Sequence, residues 1–151
     1  MSSDRITASG DPFQLSRFVS AQKDVYASAL AEIQSGQKRT HWMWFIFPQI
    51  DGLGSSPMAR QYAIKSLEEA RQYLAHPVLG PRLNEVAGAL LAKHGRSALE
   101  IFGSPDDLKL RSSLTLFAQV AGAGSLFEQV LSQYFPGAPD PRTLQILKAL
   151  A

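Results

Sequence analysis

The chain has 151 residues, enough to bury one hydrophobic core and too few for two comfortable ones, and its 45% apolar and 19% charged residues are globular rather than disordered composition. Fifteen Lys and Arg against thirteen Asp and Glu leave a formal charge of +2 with no massed basic segment, which gives no strong nucleic-acid signal. There is no cysteine, and His41, His76 and His94 lack metal-ligand spacing, so disulfides and thiolate sites are excluded and neither a metal nor a cofactor is implied.

Residues 1–10 are polar and aperiodic, without an apolar signal region, and read as a mobile tail on a cytoplasmic protein. Asp11 as N-cap with Pro12 at the first helical position predicts one helix to Ser35, stopped by Gly36. Leu15, Phe18, Val19, Tyr26, Ala29, Leu30 and Ile33 form its stripe. At ~100° per residue Gln22 falls in the middle of that stripe, where an amide needs a partner. A backbone or indole group of the next segment is the structural reading, with a ligand contact left open.

That segment, Thr40 to Gln49 (THWMWFIFPQ), reads as a short buried helix capped by Thr40 and stopped by Pro48, although an unbroken apolar run also fits extended chain. Its dense part, Trp42 to Phe47, is six residues, where a membrane span needs about twenty. After the loop Asp51 to Ser55, Ser56 and Pro57 open a helix expected to run to about Ala75, broken by His76-Pro77. A helix from near Val78 to Gly95 and a short piece around Ser97 to Phe102 follow. Ser104-Pro105 opens a helix whose wide apolar arc, Leu110, Leu114, Leu116, Phe117, Val120 and Ala121, suggests neighbours on two sides. Ser125 opens the next helix and Asp140-Pro141 the last. Nothing alternates with period two, so the expected fold is all-α: one compact bundle of about seven helices over residues 11–151, with no sheet.

Five blocks together carry a family resemblance. They are Phe18 to Gln22, His41 to Ser56 (HWMWFIFPQIDGLGSS), Tyr62-Ala63-Ile64, Tyr73 to Pro77 with Leu79-Gly80 and Arg82-Leu83, and Arg111 to Phe117 (RSSLTLF). The chain resembles the bacterial domain of unknown function 1810 family over roughly residues 12–150. The resemblance implies a compact helical fold and carries over no catalytic residue. The family sometimes bears the name calpastatin, but that inhibitor is a disordered, repetitive polypeptide, whereas this chain has a core's worth of apolar residues and no repeat.

Chemistry has several candidate seats. Trp42 or Trp44 can stack a flat group beside Lys38, Arg39 and His41, although core packing is the stronger reading of the aromatic block. The loop Gly52-Leu53-Gly54-Ser55-Ser56, with Arg60 a turn further on, can hold a phosphate or carboxylate, and a plain capping turn explains it as well. His41 is a candidate acid or base with no partner tied to it. His76 and His94 read as helix-end caps, and Asp106 and Asp107 as first-turn carboxylates. Ser113 reads as bonded to the preceding turn, and no lysine or histidine activates a hydroxyl.

The expected function is a helical binding domain with a small pocket for an anionic or aromatic metabolite, lined by His41, Trp44, Gly52, Gly54, Ser55, Ser56 and Arg60. A protein-interaction module and an enzyme centred on His41 are the alternatives. Oligomeric state is open.

Overall fold

A computed structural model describes residues 11–151, so the tail expected at residues 1–10 lies outside the described residues. Asp11 does cap the first helix, but across a loop. Its carboxylate accepts from the Leu15 and Ser16 amides at 2.6 and 3.2 Å, and α1 spans Ser16–Gln22. The predicted single helix is interrupted at Lys23 to Val25 by a tight turn in which the Val25 amide bonds the Gln22 carbonyl, and α2 resumes over Tyr26–Ser35. Val19 and Val25 have only polar or small residues between them, so no apolar contact holds that stretch in a straight helix. The phase survives the turn: Leu15, Phe18 and Gln22 are buried before it, Ala29 and Ile33 after it. Gly36 ends α2 at φ 82°, the left-handed cap that favours glycine.

The aromatic segment forms a single turn, α3, over Met43–Ile46. Thr40 does not cap it. The Thr40 hydroxyl instead donates to the Glu32 carboxylate, which also accepts from the Arg39 and Thr40 amides and from the Trp42 indole at 2.9 Å. Desolvation raises the Glu32 pKa, yet the bonds from Thr40, Arg39 and Trp42 outweigh it and hold the carboxyl at about 2, against an ordinary 4.5. A depressed acid stabilises the fold above its unfolded pKa and loses that contribution as pH falls toward the folded value. The urea-midpoint difference between wild type and Glu32→Gln should therefore shrink as pH drops from about 5 to about 2. A difference independent of pH would contradict this role.

The helix expected from Ser56 to Ala75 is also two helices, α4 (Pro57–Gln61) and α5 (Leu67–Ala75). Between them Ile64 donates to the Gln49 carbonyl and accepts from the Asp51 amide, both at 2.8 Å, in an isolated parallel bridge with Ile50. Burial of both isoleucines holds the extended link. Ser66 starts α5 by accepting from the Glu69 amide, while the buried Glu69 carboxylate takes the Lys65 amide and the Arg17 guanidinium, each at 2.8 Å. No strand occurs among the described residues.

His76 caps in the opposite sense from that expected. Its Nδ1 accepts from the Val78 and Leu79 amides at the start of α6 (Leu79–Ala92), because the chain turns directly into the next helix and those amides lack other partners. The short α7 (Ala98–Phe102) begins with a reciprocal Ser97–Glu100 capping box. α8 (Asp106–Ala121) is the central helix: Leu110 and Ser112 through Ala118 are buried, and it packs against α5, α7, α9 (Leu126–Tyr134) and α10 (Pro141–Leu150). The ten helices among the described residues exceed the expected seven chiefly because two predicted helices are each split.

Ser56 caps α4 through the Ala59 amide at 3.1 Å, but Ser104 makes no side-chain cap for α8. There the Asp107 and Leu108 amides are already bonded to the Gly103 and Pro105 carbonyls. Ser56→Ala should thus cost on the order of 1 kcal/mol, with Ser104→Ala close to zero in the same denaturation series. Equal losses in both variants would contradict the assignment. Ser113 departs from expectation too: its hydroxyl is buried without a partner among the described residues, enclosed by the apolar arc, while Ser112 and Thr115 bond the carbonyls four residues back.

Candidate functional site

Glu32 draws the Trp42 indole inward, and Met43, Ile46 and Phe47 follow it into the core. One turn of helix cannot bury every side, so Trp44 and Phe45 remain half-buried. Trp44 faces α8, where the Lys109 ammonium lies 4.7 Å from its ring centroid. The Ile50–Ile64 bridge and the Ser56 cap fix the two ends of the intervening loop.

A cleft of about 450 Å³ opens between these elements. Trp44, Gln49, Leu53, Gly54, Ser55 and Ser56 form one side, Pro105, Leu108, Lys109 and Ser112 another, and Asp140 with Arg142 the third. Three helix starts that share a Ser-Pro or Asp-Pro grammar, at residues 56, 104 and 140, therefore converge. Their amides are largely satisfied: Ser56 and Asp140 cap α4 and α10, and backbone carbonyls serve α8. Side chains, not free amides, supply the charge.

Two cations and one carboxylate line the cleft. Lys109 shares Asp106 with Lys38, at 3.4 and 3.0 Å, so one carboxylate faces two ammonium groups. Arg142 has a long bond of 3.4 Å to the Gly52 carbonyl. Desolvation raises the Asp140 pKa, but hydrogen bonds from the Thr143 and Ser112 hydroxyls and the Thr143 and Arg142 amides prevail and keep it below the usual carboxylate range. Asp140 is ionised at neutral pH. Its Oδ2 accepts from Ser112 at 2.8 Å and from the Thr143 hydroxyl at 2.5 Å.

Of the residues expected to form a pocket, the structure brings Trp44, Gly54, Ser55 and Ser56 together. Gly52 lines a gap of about 10 Å³ beside Trp44 and Lys109, room for a water at most. Arg60 borders a separate groove with Arg17, Lys65 and Glu69, because α4 turns it away from the loop. His41 is exposed, lies outside the cleft and makes no hydrogen bond among the described residues. Gln22 is 1% exposed, and its amide donates to the Phe45 carbonyl at 2.7 Å and the Tyr73 hydroxyl at 3.0 Å.

Sequence reasoning missed Gln49, Lys109 and Arg142. Only the repeated Ser-Pro and Asp-Pro helix starts hinted that these segments share an end of the bundle. No group of three His, Cys, Asp or Glu suited to a metal occurs among the described residues.

A model of the DUF1810 family, described as a protein of unknown function, matches residues 12–147. The chain is also similar to the crystal structure of the conserved hypothetical protein Rv1873 from Mycobacterium tuberculosis, with 55% identity, a TM-score of 0.89, and coverage of 91% of this chain and 99% of that one. No curated protein matches.

Proposed function

We propose, from the premise that the chain belongs to the DUF1810 family, that it is a ligand-binding domain whose Trp44 cleft takes a small metabolite with an anionic group beside a flat one. The observation carrying this reading is the meeting of Lys109 and Arg142 with an indole wall in one concavity of metabolite size. Lys109 has a shared carboxylate and the Trp44 ring face as partners and Arg142 a long carbonyl contact, so both retain N–H donors for an anion. A cytoplasmic location belongs to the same proposal. No helix among the described residues is long and apolar enough to cross a membrane.

The alternatives have less support. The half-exposed Leu99, Leu108 and Leu150 lie on three different helices, and single exposed leucines are ordinary. His41 is exposed and makes no hydrogen bond among the described residues, and the nearby Glu32 carboxylate and Thr40 hydroxyl are bonded to each other.

A thermal-shift screen with carboxylated and phosphorylated aromatic compounds tests the proposal. Ligand at a hundred times its Kd stabilises by roughly 2.7 kcal/mol, which is several degrees in a domain of this size. The double variant Lys109→Gln/Arg142→Gln should melt near wild type unliganded and lose the shift. A shift unchanged in that variant, or none across the panel, would count against the cleft.

A further inference from the structure

We infer that the occupant of the cleft is a nucleoside 5′-monophosphate, bound as a free mononucleotide; the inference rests on the ligand-binding reading above and narrows it. A bare anion satisfies Lys109 and Arg142 but leaves the rest of the lining without purpose. Three further groups specify what the ligand carries.

The first is apolar. Trp44 and the 53% exposed Leu108 present a flat ring and an aliphatic side chain to the same space, a setting for a planar heterocycle. The second is Gln49, a lining residue whose carboxamide has no hydrogen-bond partner among the described residues, while its backbone carbonyl accepts from the Ile64 amide. A carboxamide offers a donor and an acceptor side by side, the pattern that pairs with the edge of a base. The third is Asp140. Its Oδ2 is engaged by Ser112 and Thr143 and the carboxylate also accepts from the Arg142 amide, yet two carboxylate oxygens with four lone pairs keep capacity for one more donor. An ionised carboxylate repels a phosphate and favours a hydrogen-bond donor, which a ribose hydroxyl provides.

The ligand must therefore hold its anion at Lys109 and Arg142 and its hydroxyls at Asp140. Phosphate, ribose and base meet these demands in one molecule, and about 450 Å³ accommodates one nucleotide. A nucleic-acid strand fits less well, since it requires a cationic groove tracking successive phosphates, whereas these cations stand in one cleft of a chain with a formal charge of only +2.

Calorimetric titration of the full chain tests the assignment with adenosine 5′-monophosphate, adenosine, ribose 5-phosphate, phenyl phosphate, the 2′,3′-dideoxy monophosphate and a short oligodeoxyadenylate as probes. The monophosphate should bind at least about tenfold more tightly than each of the others. Asp140→Asn preserves the α10 cap, because Asn caps as well as Asp. Because the change also removes a charge that repels every phosphate, the test is the ratio: Asp140→Asn should cut the preference for the ribonucleotide over the dideoxy analogue about tenfold; the dideoxy comparison on wild type makes the same test without a mutation. If phenyl phosphate or ribose 5-phosphate equals the nucleotide, with binding still lost in Lys109→Gln/Arg142→Gln, the nucleotide inference falls and the anion cleft stands. Preference for the oligonucleotide overturns the mononucleotide in favour of a strand. If no probe binds in a Lys109- and Arg142-dependent way, both readings fail.

Discussion

Gly80→Ala is expected to destabilise the fold by about 3 kcal/mol or more, lowering the melting midpoint by roughly ten degrees. A Cβ at this position would lie 2.1 Å from the Leu74 carbonyl oxygen and 3.0 Å from its carbon. The obstacle is backbone, held in α5 on one side and in the His76-Pro77 turn on the other, so no side-chain rotation relieves it. Helix propensity favours alanine over glycine by about 1 kcal/mol, which is too little to offset such an overlap. A raised or unchanged midpoint would mean that α5 and α6 separate without loss.

Gln22→Leu is the second large effect. Leucine fills the volume of the amide but leaves the Phe45 carbonyl and the Tyr73 hydroxyl with only their long 3.5 Å bond to each other, and it removes the acceptor for Arg82 at 3.3 Å. Each buried polar group left unsatisfied costs about 1–3 kcal/mol, so a loss of roughly 2–3 kcal/mol follows, well above the few tenths typical of an exposed position. Gln22 does not line the cleft, and ligand affinity should survive wherever the variant is folded. Retained stability with lost binding would move Gln22 into a ligand site and contradict its structural role.

The position of Gln22 is legible in the sequence, whereas the close approach of Gly80 to the Leu74 carbonyl is not. Gln22 was placed by helical phase alone, and that phase held across an unforeseen turn because both short helices bury the same side. Ser56, Ser125 and Asp140 were readable as caps from their own few residues, as was Gly36. The failures came where tertiary contacts overrode local signals. The break between α4 and α5 depends on Ile64 meeting Ile50, and only Ser66 with Glu69 three residues later marked a second helix start.

Thr40 and Ser104 look like caps in sequence. One hydroxyl is taken by Glu32, and the helix start beside the other is satisfied by backbone. The cleft was half legible. Trp44, Gly54, Ser55 and Ser56 lie within thirteen residues and could be grouped by proximity in the chain. Lys109, Asp140 and Arg142 arrive from helices far along it, and nothing in their own neighbourhoods marks where α8 and α10 begin relative to Trp44. His41 and Arg60 were grouped by the same proximity, but His41 lies in the bend before α3 and Arg60 is turned elsewhere by α4.

The most direct test of the binding cleft is an amide and indole NMR titration of isotope-labelled protein with phenyl phosphate, a flat ring bearing one anion. The proposed site predicts the largest shifts at the Trp44 indole, the Gln49 carboxamide, and the Gly54, Ser55, Lys109 and Arg142 amides, with His41, Arg60 and Gln22 little changed. Shifts centred on the groove between Phe13 and His76, or an unperturbed Trp44 at saturating ligand, would contradict it.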